Sequence, residues 1–308
     1  MHNKQYNIDK LYEAVAEKGP VCVGLDTAVE YVPVSARRGA ARDADAVFDY
    51  NRALIEACGD VAACFKVQIA YYEELGLAGL EVYAKTLKFI RECGGLVIAD
   101  IKRGDIADTA LRYARAHFEG DFEADFVTLS PYMGMDSIEP WLAYVETKGK
   151  GAFVLMRTSN KGMRDFEYLR LQTGGQLYDA VGDKLAVLAE RCIGRYAYGA
   201  FGAVLGCTER EEAARIREQR KNLFFLIPGY GAQGGAAADA ALLLRNGNGG
   251  VVNASRSILK AWMNCASSAD PGLEQAASAA RDAAIKMRDA IRVAVTRTSE
   301  VAATGTAQ

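Results

Sequence analysis

Histidine is nearly absent from this chain of 308 residues, which contains only His2 and His117. This scarcity disfavours a metal site built on several histidines and a catalytic triad that needs a histidine base. The seven cysteines are odd in number and scattered, and no two are spaced Cys-x-x-Cys. They predict reduced thiols in a cytoplasmic protein, and they give no support to a disulfide framework or a zinc site.

Excess charge and long apolar runs are also missing. The 37 basic and 39 acidic side chains leave a formal charge of −2, which offers no electrostatic footprint for a nucleic acid. No run of about 18 uncharged apolar residues is present to span a membrane, and the polar N-terminus lacks the apolar segment of a secretory signal. We therefore expect a cytoplasmic globular protein with neither a membrane nor a nucleic acid as partner.

The chain does contain a regular alternation of short apolar runs and longer amphipathic segments. Eight runs are continuously apolar, as are strands of a parallel sheet that is buried on both faces. They cover residues 21–26, 64–68, 96–102, 126–130, 152–157, 202–207, 223–228 and 250–255. Because a helical pattern follows each run, the sequence predicts an α/β fold, a (β/α)8 TIM barrel. The pattern does not reveal strand order, so a doubly wound sheet stays open.

The predicted barrel forms one domain over residues 1–297. A helix over residues 8–18 is expected to cover the bottom of the barrel, and an alanine-rich helix over residues 272–295 begins just after Pro271. The remaining residues, 298–308, are small and polar, so we expect a disordered tail.

The most informative segment closes the third predicted strand. Residues 100–106 read Asp-Ile-Lys-Arg-Gly-Asp-Ile, and strand alternation places Asp100 and Lys102 on one face. Asp105 follows across a glycine, and Lys66 lies at the end of the preceding predicted strand. Since the carboxyl ends of the strands carry the chemistry of TIM barrels, we expect these two lysines and two aspartates to converge.

Such a cluster favours a particular chemistry. A lysine between two carboxylates is held in its charged form, because each nearby negative charge raises its pKa. It is then a poor Schiff-base nucleophile but a good proton donor, placed beside carboxylates that repel an anionic substrate group. The pattern therefore favours expulsion of a carboxylate followed by protonation of a carbanion. The alternative is a structural group of ion pairs at the end of a strand.

A second segment, residues 226–235, carries glycines at positions 229, 231 and 234 after a predicted strand. This G-x-G-x-x-G spacing suits a dinucleotide site only if an acidic residue closes the next strand. That strand instead ends Asn-Ala-Ser-Arg at residues 253–256. We therefore predict a phosphate-binding loop of the kind that TIM barrels often have after strands seven and eight, with Arg256 as its cation. A plain glycine turn is the alternative.

Two further polar residues close predicted strands. Asp26 ends the first strand, where its carboxylate could bind a sugar hydroxyl. Ser130 ends the fourth strand and has no histidine partner to activate it as a nucleophile. A hydrogen bond from Ser130 to the edge of a substrate is the better interpretation.

Taken together, residues 20–260 resemble the orotidine 5′-phosphate decarboxylase family, the enzymes of the last step of pyrimidine nucleotide synthesis. The resemblance is carried by the Asp-x-Lys-x-x-Asp-Ile motif at residues 100–106, by Lys66, by the loop over residues 228–235 and by Arg256. The chain is most similar to the longer bacterial subgroup. Its extra length lies at residues 158–176. The resemblance implies a TIM barrel that decarboxylates orotidine 5′-phosphate to UMP without a metal or an organic cofactor.

The resemblance also implies catalytic roles. Lys102 would protonate C6 of the pyrimidine, and Asp100 and Asp105 would flank the leaving carboxylate. Lys66 would complete the charge network. In the family, the residues that match Asp105 and Thr109 reach the site from the other subunit, so a homodimer with shared active sites is implied.

The implied partner is a small-molecule nucleotide. The substrate-binding residues would be Asp26, Thr109, Ser130, Pro228, Gln233, Gly234, Ser255 and Arg256. Asp26 and Thr109 would hold the ribose, and Ser130 the edge of the pyrimidine. Gln233 and Arg256 would hold the phosphate, and the loop after Pro228 would close on the ligand.

Two other functions stay open. Related TIM barrels, the sugar-phosphate decarboxylases and hexulose-phosphate synthases, share the Asp-x-Lys of the third strand but use Mg²⁺ and an enediolate. They call for further acidic ligands, whereas no glutamate stands beside Lys66, whose charge would repel a metal. A non-catalytic nucleotide binder would need the phosphate loop without the lysines and aspartates.

Overall fold

The computed structural model describes residues 5–231, 234–264 and 270–305. Within them, eight parallel strands form one sheet. The strands are β1 (Val21–Gly24), β2 (Cys64–Gln68), β3 (Val97–Arg103), β4 (Phe126–Leu129), β5 (Gly151–Arg157), β6 (Phe201–Leu205), β7 (Phe225–Ile227) and β8 (Gly250–Ala254). Each strand pairs with the next, and β1 pairs with β8, so the sheet closes into a barrel. The predicted TIM barrel is confirmed, and the doubly wound sheet is excluded because it would leave two open edges.

Burial explains why these strands read as continuously apolar. Every residue of β1, β4, β6 and β7 is buried. One side of each strand faces the barrel interior and the other faces the surrounding helices, so neither side can carry the polar residues of a solvent-facing sheet.

Thirteen α-helices surround the barrel within the described residues. They are α1 (Asn7–Lys18), α2 (Val34–Gly39), α3 (Asp43–Cys58), α4 (Ala70–Glu73), α5 (Gly76–Glu92), α6 (Ala107–Phe118), α7 (Leu142–Lys148), α8 (Met163–Phe166), α9 (Leu177–Glu190), α10 (Arg210–Gln219), α11 (Ala237–Ala241), α12 (Arg256–Leu259) and α13 (Leu273–Gly305). A helix follows every strand, as the alternating pattern predicts.

Helix α1 lies across the N-terminal end of the barrel. Asn7 Nδ2 donates a hydrogen bond to Asp125 Oδ1 at 3.1 Å, just before β4. Asn248 Nδ2, just before β8, donates to the carbonyl of Tyr12 at 3.1 Å. These contacts hold α1 against the bottom of the barrel, where the sequence predicts it.

Helix α13 is longer than predicted. The sequence predicts an end near residue 295 and a disordered tail over residues 298–308, but the helix continues to Gly305; residues 306–308 lie outside the described residues. Residues 273–304 are rich in alanine and contain neither glycine nor proline, so nothing in this stretch interrupts a helix. Neither α13 nor any other described helix is long and apolar enough to cross a membrane.

We expect Gly202→Ala to destabilise the barrel. Gly202 lies in β6, where an added Cβ would overlap the carbonyl oxygen of Phe224 and come within 2.9 Å of the Phe153 ring. Forcing a methyl group into a packed core costs about 1–3 kcal/mol of unfolding free energy, measured by urea denaturation. Gly39→Ala is the matched control, because a Cβ at Gly39 meets no atom within 4 Å. Equal stability of the two variants would contradict this account of the core.

Candidate active site

Four charged side chains form a chain of ion pairs at the C-terminal ends of β1, β2 and β3. Lys66 Nζ lies 3.0 Å from Asp26 Oδ1 and 2.9 Å from Asp100 Oδ2. Lys102 Nζ lies 2.6 Å from Oδ1, the other carboxylate oxygen of Asp100. Negative and positive charges therefore alternate from Asp26 through Lys66 and Asp100 to Lys102. Two lysines and two aspartates converge, as the sequence predicts, but one of the aspartates is Asp26.

The register between β2 and β3 explains why Lys66 and Asp100 lie on the same face of the sheet. Lys66 and Gln68 are two residues apart on β2, so they point to the same face. Gln68 is the register partner of Asp100 on β3, which puts Asp100 on that face as well. Gln68 Nε2 donates a hydrogen bond to Asp100 Oδ2 at 3.0 Å. The carboxylate of Asp100 is thus held inside the mouth of the barrel, where its side chain is only 8% exposed.

Lys102 reaches the cluster through an irregular backbone. Strand β3 pairs with β4 at Ala99 and again at Arg103, while β4 advances by only two residues between those pairs. Lys102 lies in the resulting bulge with a φ of 45°. The predicted proximity of Asp100 and Lys102 is confirmed, but strand alternation is not its cause, because a bulge changes where a side chain points.

The electrostatics of the cluster favour the charged forms of Lys66 and Asp100. Burial is the largest influence on Lys66 and lowers its pKa, but Asp100 and Asp26 outweigh it, so the pKa of Lys66 lies above its ordinary value. Burial likewise raises the pKa of Asp100, but Lys66 and Lys102 outweigh it and hold that pKa below its ordinary value. The buried lysine and the buried aspartate therefore stay charged at neutral pH, each stabilised by the other.

The cluster forms one wall of a cavity of about 450 Å³ at the mouth of the barrel. This volume is typical of a small-molecule site. The loops after β7 and β8 supply a second wall, which includes Pro228, Gly229, Ser255 and Arg256. The loop after β5 supplies a third wall, formed by Thr158, Ser159 and Asn160.

The loop after β7 is closed by its own backbone. The amide of Gly231 donates to the carbonyl of Gly235 at 2.9 Å, and the amide of Gly235 donates to the carbonyl of Gly229 at 3.0 Å. Gly229 and Gly231 have φ values of 102° and 69°, which side-chain-bearing residues rarely adopt, so the turn requires these glycines. Arg256 follows β8 and lines the same cavity. A tight glycine loop beside a guanidinium group suits a phosphate.

The extra segment over residues 158–176 supports the third wall. Glu167 accepts hydrogen bonds from both the amide and the hydroxyl of Thr158, each at 2.8 Å. The buried guanidinium of Arg157 lies 3.1 Å from the carboxylate of Glu212 in α10. The start of the loop after β5 is therefore bound both to Glu167, later in the same segment, and to helix α10.

The structure brings together most, but not all, of the predicted site residues. Seven of them line the cavity, namely Asp26, Lys66, Asp100, Lys102, Pro228, Ser255 and Arg256. Four other described residues do not line it, namely Asp105, Thr109, Ser130 and Gly234. Gln233 lies outside the described residues.

Asp105 and Thr109 do not line the cavity of their own chain. Asp105 accepts a hydrogen bond from the amide of Ile106 at 2.9 Å and forms no ion pair among the described residues. Thr109 is exposed in the first turn of α6. Asp105 is not among the cavity-lining residues, so its predicted convergence with Lys66, Asp100 and Lys102 does not occur within one chain.

Ser130 does not line the cavity either. Its amide donates to the carbonyl of Arg103 at 2.8 Å, and a Cβ at Gly104 would lie 3.0 Å from the carbonyl of Ser130. Ser130 therefore packs against the loop after β3. The loop after β5 does contribute a serine, Ser159, to the cavity lining.

Several cavity residues were not predicted from the sequence. They include Tyr31, Gln68, Tyr71, Thr128, Ser159, Asn160 and Asn253. Gln68 could have been found, because it lies two residues after Lys66 on the same strand face. Thr128 could not, because its place depends on the pairing of β3 with β4.

Known proteins resemble this chain over most of its length. Residues 19–269 match the model of a family described as the orotidine 5′-phosphate decarboxylase / HUMPS family. The chain belongs to this family.

Individual relatives support the assignment to the orotidine 5′-phosphate decarboxylase / HUMPS family. An orotidine 5′-phosphate decarboxylase of Clostridium perfringens (strain SM101) is 54% identical over 93% of this chain and 98% of its own length. The enzyme of that name from Clostridium kluyveri is 53% identical over 92% of this chain and 96% of its own length. The solved structure of Leishmania donovani OMP decarboxylase is 32% identical, with a TM-score of 0.73, and the match covers 95% of this chain and 100% of that one.

In this member of the orotidine 5′-phosphate decarboxylase family, we expect Lys66→Met to lower stability at pH 7. Lys66 is 6% exposed, and its removal leaves Asp100 buried with one cation fewer. Breaking a buried ion pair from one side costs about 3–5 kcal/mol of unfolding free energy. Urea denaturation measures the loss. The control is Lys88→Met, which removes a lysine that is 69% exposed and should change stability little.

The stability gap between Lys66→Met and the unchanged protein should also depend on pH. Ionised Asp100 stabilises the folded state above its unfolded pKa of about 3.9, and this stabilisation is lost as the pH falls through its lower folded pKa. The raised pKa of Lys66 contributes a constant amount below about pH 10. The gap should therefore be constant near neutrality and narrow below about pH 4. A gap that widens in acid would contradict the coupling of these two groups.

Proposed function

We propose that this chain decarboxylates orotidine 5′-phosphate to UMP, the last step of de novo pyrimidine nucleotide synthesis, without a metal or an organic cofactor. One observation carries the proposal beyond the names of the relatives. The alternating lysines and aspartates and the glycine loop with Arg256 line a single cavity. A proton donor and a phosphate-binding element therefore face the same ligand.

In this proposal the phosphate and the ribose supply much of the binding energy. Arg256, Ser255 and the loop from Pro228 through Gln233 and Gly234 bind the phosphate. Asp26 binds the ribose. The sequence predicts that Ser130 contacts the edge of the pyrimidine. In this proposal the loop after β5 makes that contact instead, because that loop lines the cavity. Binding energy from these non-reacting groups holds the carboxylate against the charged cluster, which is how remote contacts accelerate a reaction.

The proposed chemistry has two steps. The bond between C6 and the carboxylate breaks, CO2 leaves, and its electron pair stays on C6. The ammonium of Lys102 then gives a proton to C6, which forms the C–H bond of UMP and leaves a neutral amine that takes a proton from solvent. Lys102 is 46% exposed, so water reaches it. The ion pair between Lys66 and Asp100 is already formed before the reaction begins. Both side chains are mostly buried, where fixed charges act strongly on the reacting groups.

The charge network also distinguishes this proposal from a Mg²⁺-dependent relative. The ammonium of Lys66 stands between Asp26 and Asp100, within 3.0 Å of an oxygen of each. A divalent cation shared by those carboxylates would have to occupy the same space. Retention of full activity in EDTA is expected, and loss of activity on chelation would favour the metal-dependent alternative.

We further propose that two chains form a homodimer with shared active sites. Asp105 and Thr109 lie outside the cavity of their own chain, next to apolar side chains that are unusually exposed. Ile106 and Leu111 are each 41% exposed, and Tyr132, in the neighbouring loop after β4, is 83% exposed. Burying this surface against a second copy would bring Asp105 and Thr109 to the partner's cavity. A cytoplasmic location agrees with the six described cysteines, which are all free.

We expect Lys102→Ala to abolish decarboxylation while sparing nucleotide binding. Loss of a general acid lowers kcat by about 10²–10⁴-fold, followed as the loss of orotidine 5′-phosphate absorbance. The Kd for UMP, measured by calorimetry, should change by less than about tenfold because phosphate and ribose contacts remain. The control is Lys88→Ala, at an exposed lysine outside the cavity. Unchanged turnover in Lys102→Ala would refute the proposed function.

Mixing two inactive variants tests the shared site. Lys102→Ala and Asp105→Ala homodimers should each lack activity. A hybrid dimer of the two has one site that contains both native residues, so random exchange should restore about a quarter of full activity. Native mass spectrometry confirms that subunits have exchanged. If exchanged mixtures stay inactive, Asp105 does not act across the interface.

A further inference from the structure

Thr128 is buried at the junction between the charged cluster and the bulge in β3. Its side-chain hydroxyl donates a hydrogen bond to Asp100 Oδ1 at 2.8 Å. The same oxygen accepts hydrogen bonds from the backbone amides of Ile101 and Lys102, each at 3.0 Å. One hydroxyl on β4 therefore binds both a carboxylate and the backbone that carries the lysine.

The two amide contacts replace ordinary strand pairing. Between Ala99 and Arg103, the backbone of β3 has no register partner on β4. A buried backbone amide needs an acceptor, and the hydroxyl of Thr128 supplies one acceptor for two successive amides. Lys102 has a φ of 45°, a conformation that residues other than glycine adopt only when their surroundings hold them there. The hydroxyl of Thr128 is the group that holds this turn from the neighbouring strand.

The other donors to Asp100 act on the carboxylate alone. Lys66 and Gln68 bind Oδ2, while Lys102 and Thr128 bind Oδ1. Among these four, only the Thr128 side chain also binds the backbone of residues 101 and 102. Thr128 is 1% exposed, so a ligand in the cavity has little access to it. It acts through its neighbours.

We infer that Thr128 is a positioning residue, whose hydroxyl sets the left-handed turn at Lys102 and the orientation of Asp100, and thereby aims the proton donor at the substrate. This inference rests on the proposed function for its kinetic consequence. Its geometric content does not, since it concerns the position of Lys102 in the protein without ligand.

The test compares Thr128→Val with Thr128→Ser. Valine keeps the branched shape and removes the hydroxyl, whereas serine keeps the hydroxyl. Misplacement of a reacting group by about 1 Å costs on the order of 10²-fold, so kcat of Thr128→Val should fall by about that factor. KM and the Kd for UMP should stay within about threefold, because phosphate and ribose contacts remain. Thr128→Ser should keep kcat within about threefold of the unchanged enzyme.

Thr128→Ala and a crystal structure separate positioning from folding. Alanine also lacks the hydroxyl but occupies less space, so it should reproduce the loss of kcat even if the valine variant does not fold. In the crystal structure of whichever hydroxyl-free variant folds, Lys102 should leave the positive-φ region and its ammonium should move away from Asp100 Oδ1. An equal loss of kcat in Thr128→Ser would overturn the inference, as would an unchanged Lys102 in a hydroxyl-free variant. If the unchanged enzyme does not decarboxylate orotidine 5′-phosphate, the proposed function fails, and the crystal comparison still decides the role of Thr128.

Discussion

The carboxylate of Asp100 is the group on which the site depends. Each of its oxygens accepts two hydrogen bonds, one of them from an ammonium group. A buried carboxylate is costly unless it is paired and fully hydrogen-bonded, and this one is both. Its donors come from β2, β3 and β4, so three neighbouring strands must keep their register for the charge to be tolerated. The closed barrel provides that rigidity, because every strand is paired on both sides.

The rest of the cavity complements this charged wall. The loops proposed to bind the phosphate follow β7 and β8, and β8 lies beside β1 only because the barrel closes. The fold therefore places the last elements of the chain next to the first. The loop after β5 forms the remaining wall. Glu167 in the extra segment stabilises this loop by accepting two hydrogen bonds from Thr158. Fixed walls matter for the proposed chemistry, since electrostatic stabilisation needs charges that do not reorganise during the reaction.

A single chain leaves the proposed site open on one side. The loop after the bulge carries Asp105 outward, and the apolar residues around it remain exposed. Lys102 lies in the bulge of β3 and forms an ion pair with Asp100, whereas Asp105 and Ser130 do not line the cavity. The sequence predicts Asp105 in the site because it follows Lys102 across a glycine, and Ser130 because it ends the fourth predicted strand. The irregular pairing of β3 with β4 in this region is a tertiary feature that no local pattern reveals.

Local patterns in the sequence were enough to predict the barrel, its eight strands, the glycine loop and the meeting of Lys66, Asp100 and Lys102. Burial on both sides makes parallel strands continuously apolar, and polar residues that end such strands must meet at one rim. Only the tertiary structure decided that Asp26 completes the cluster, and that Ser159 lines the cavity while Ser130 does not. Those outcomes depend on which strands are neighbours and where pairing is irregular. Both are properties of contacts between distant segments, which residue order along one segment does not encode.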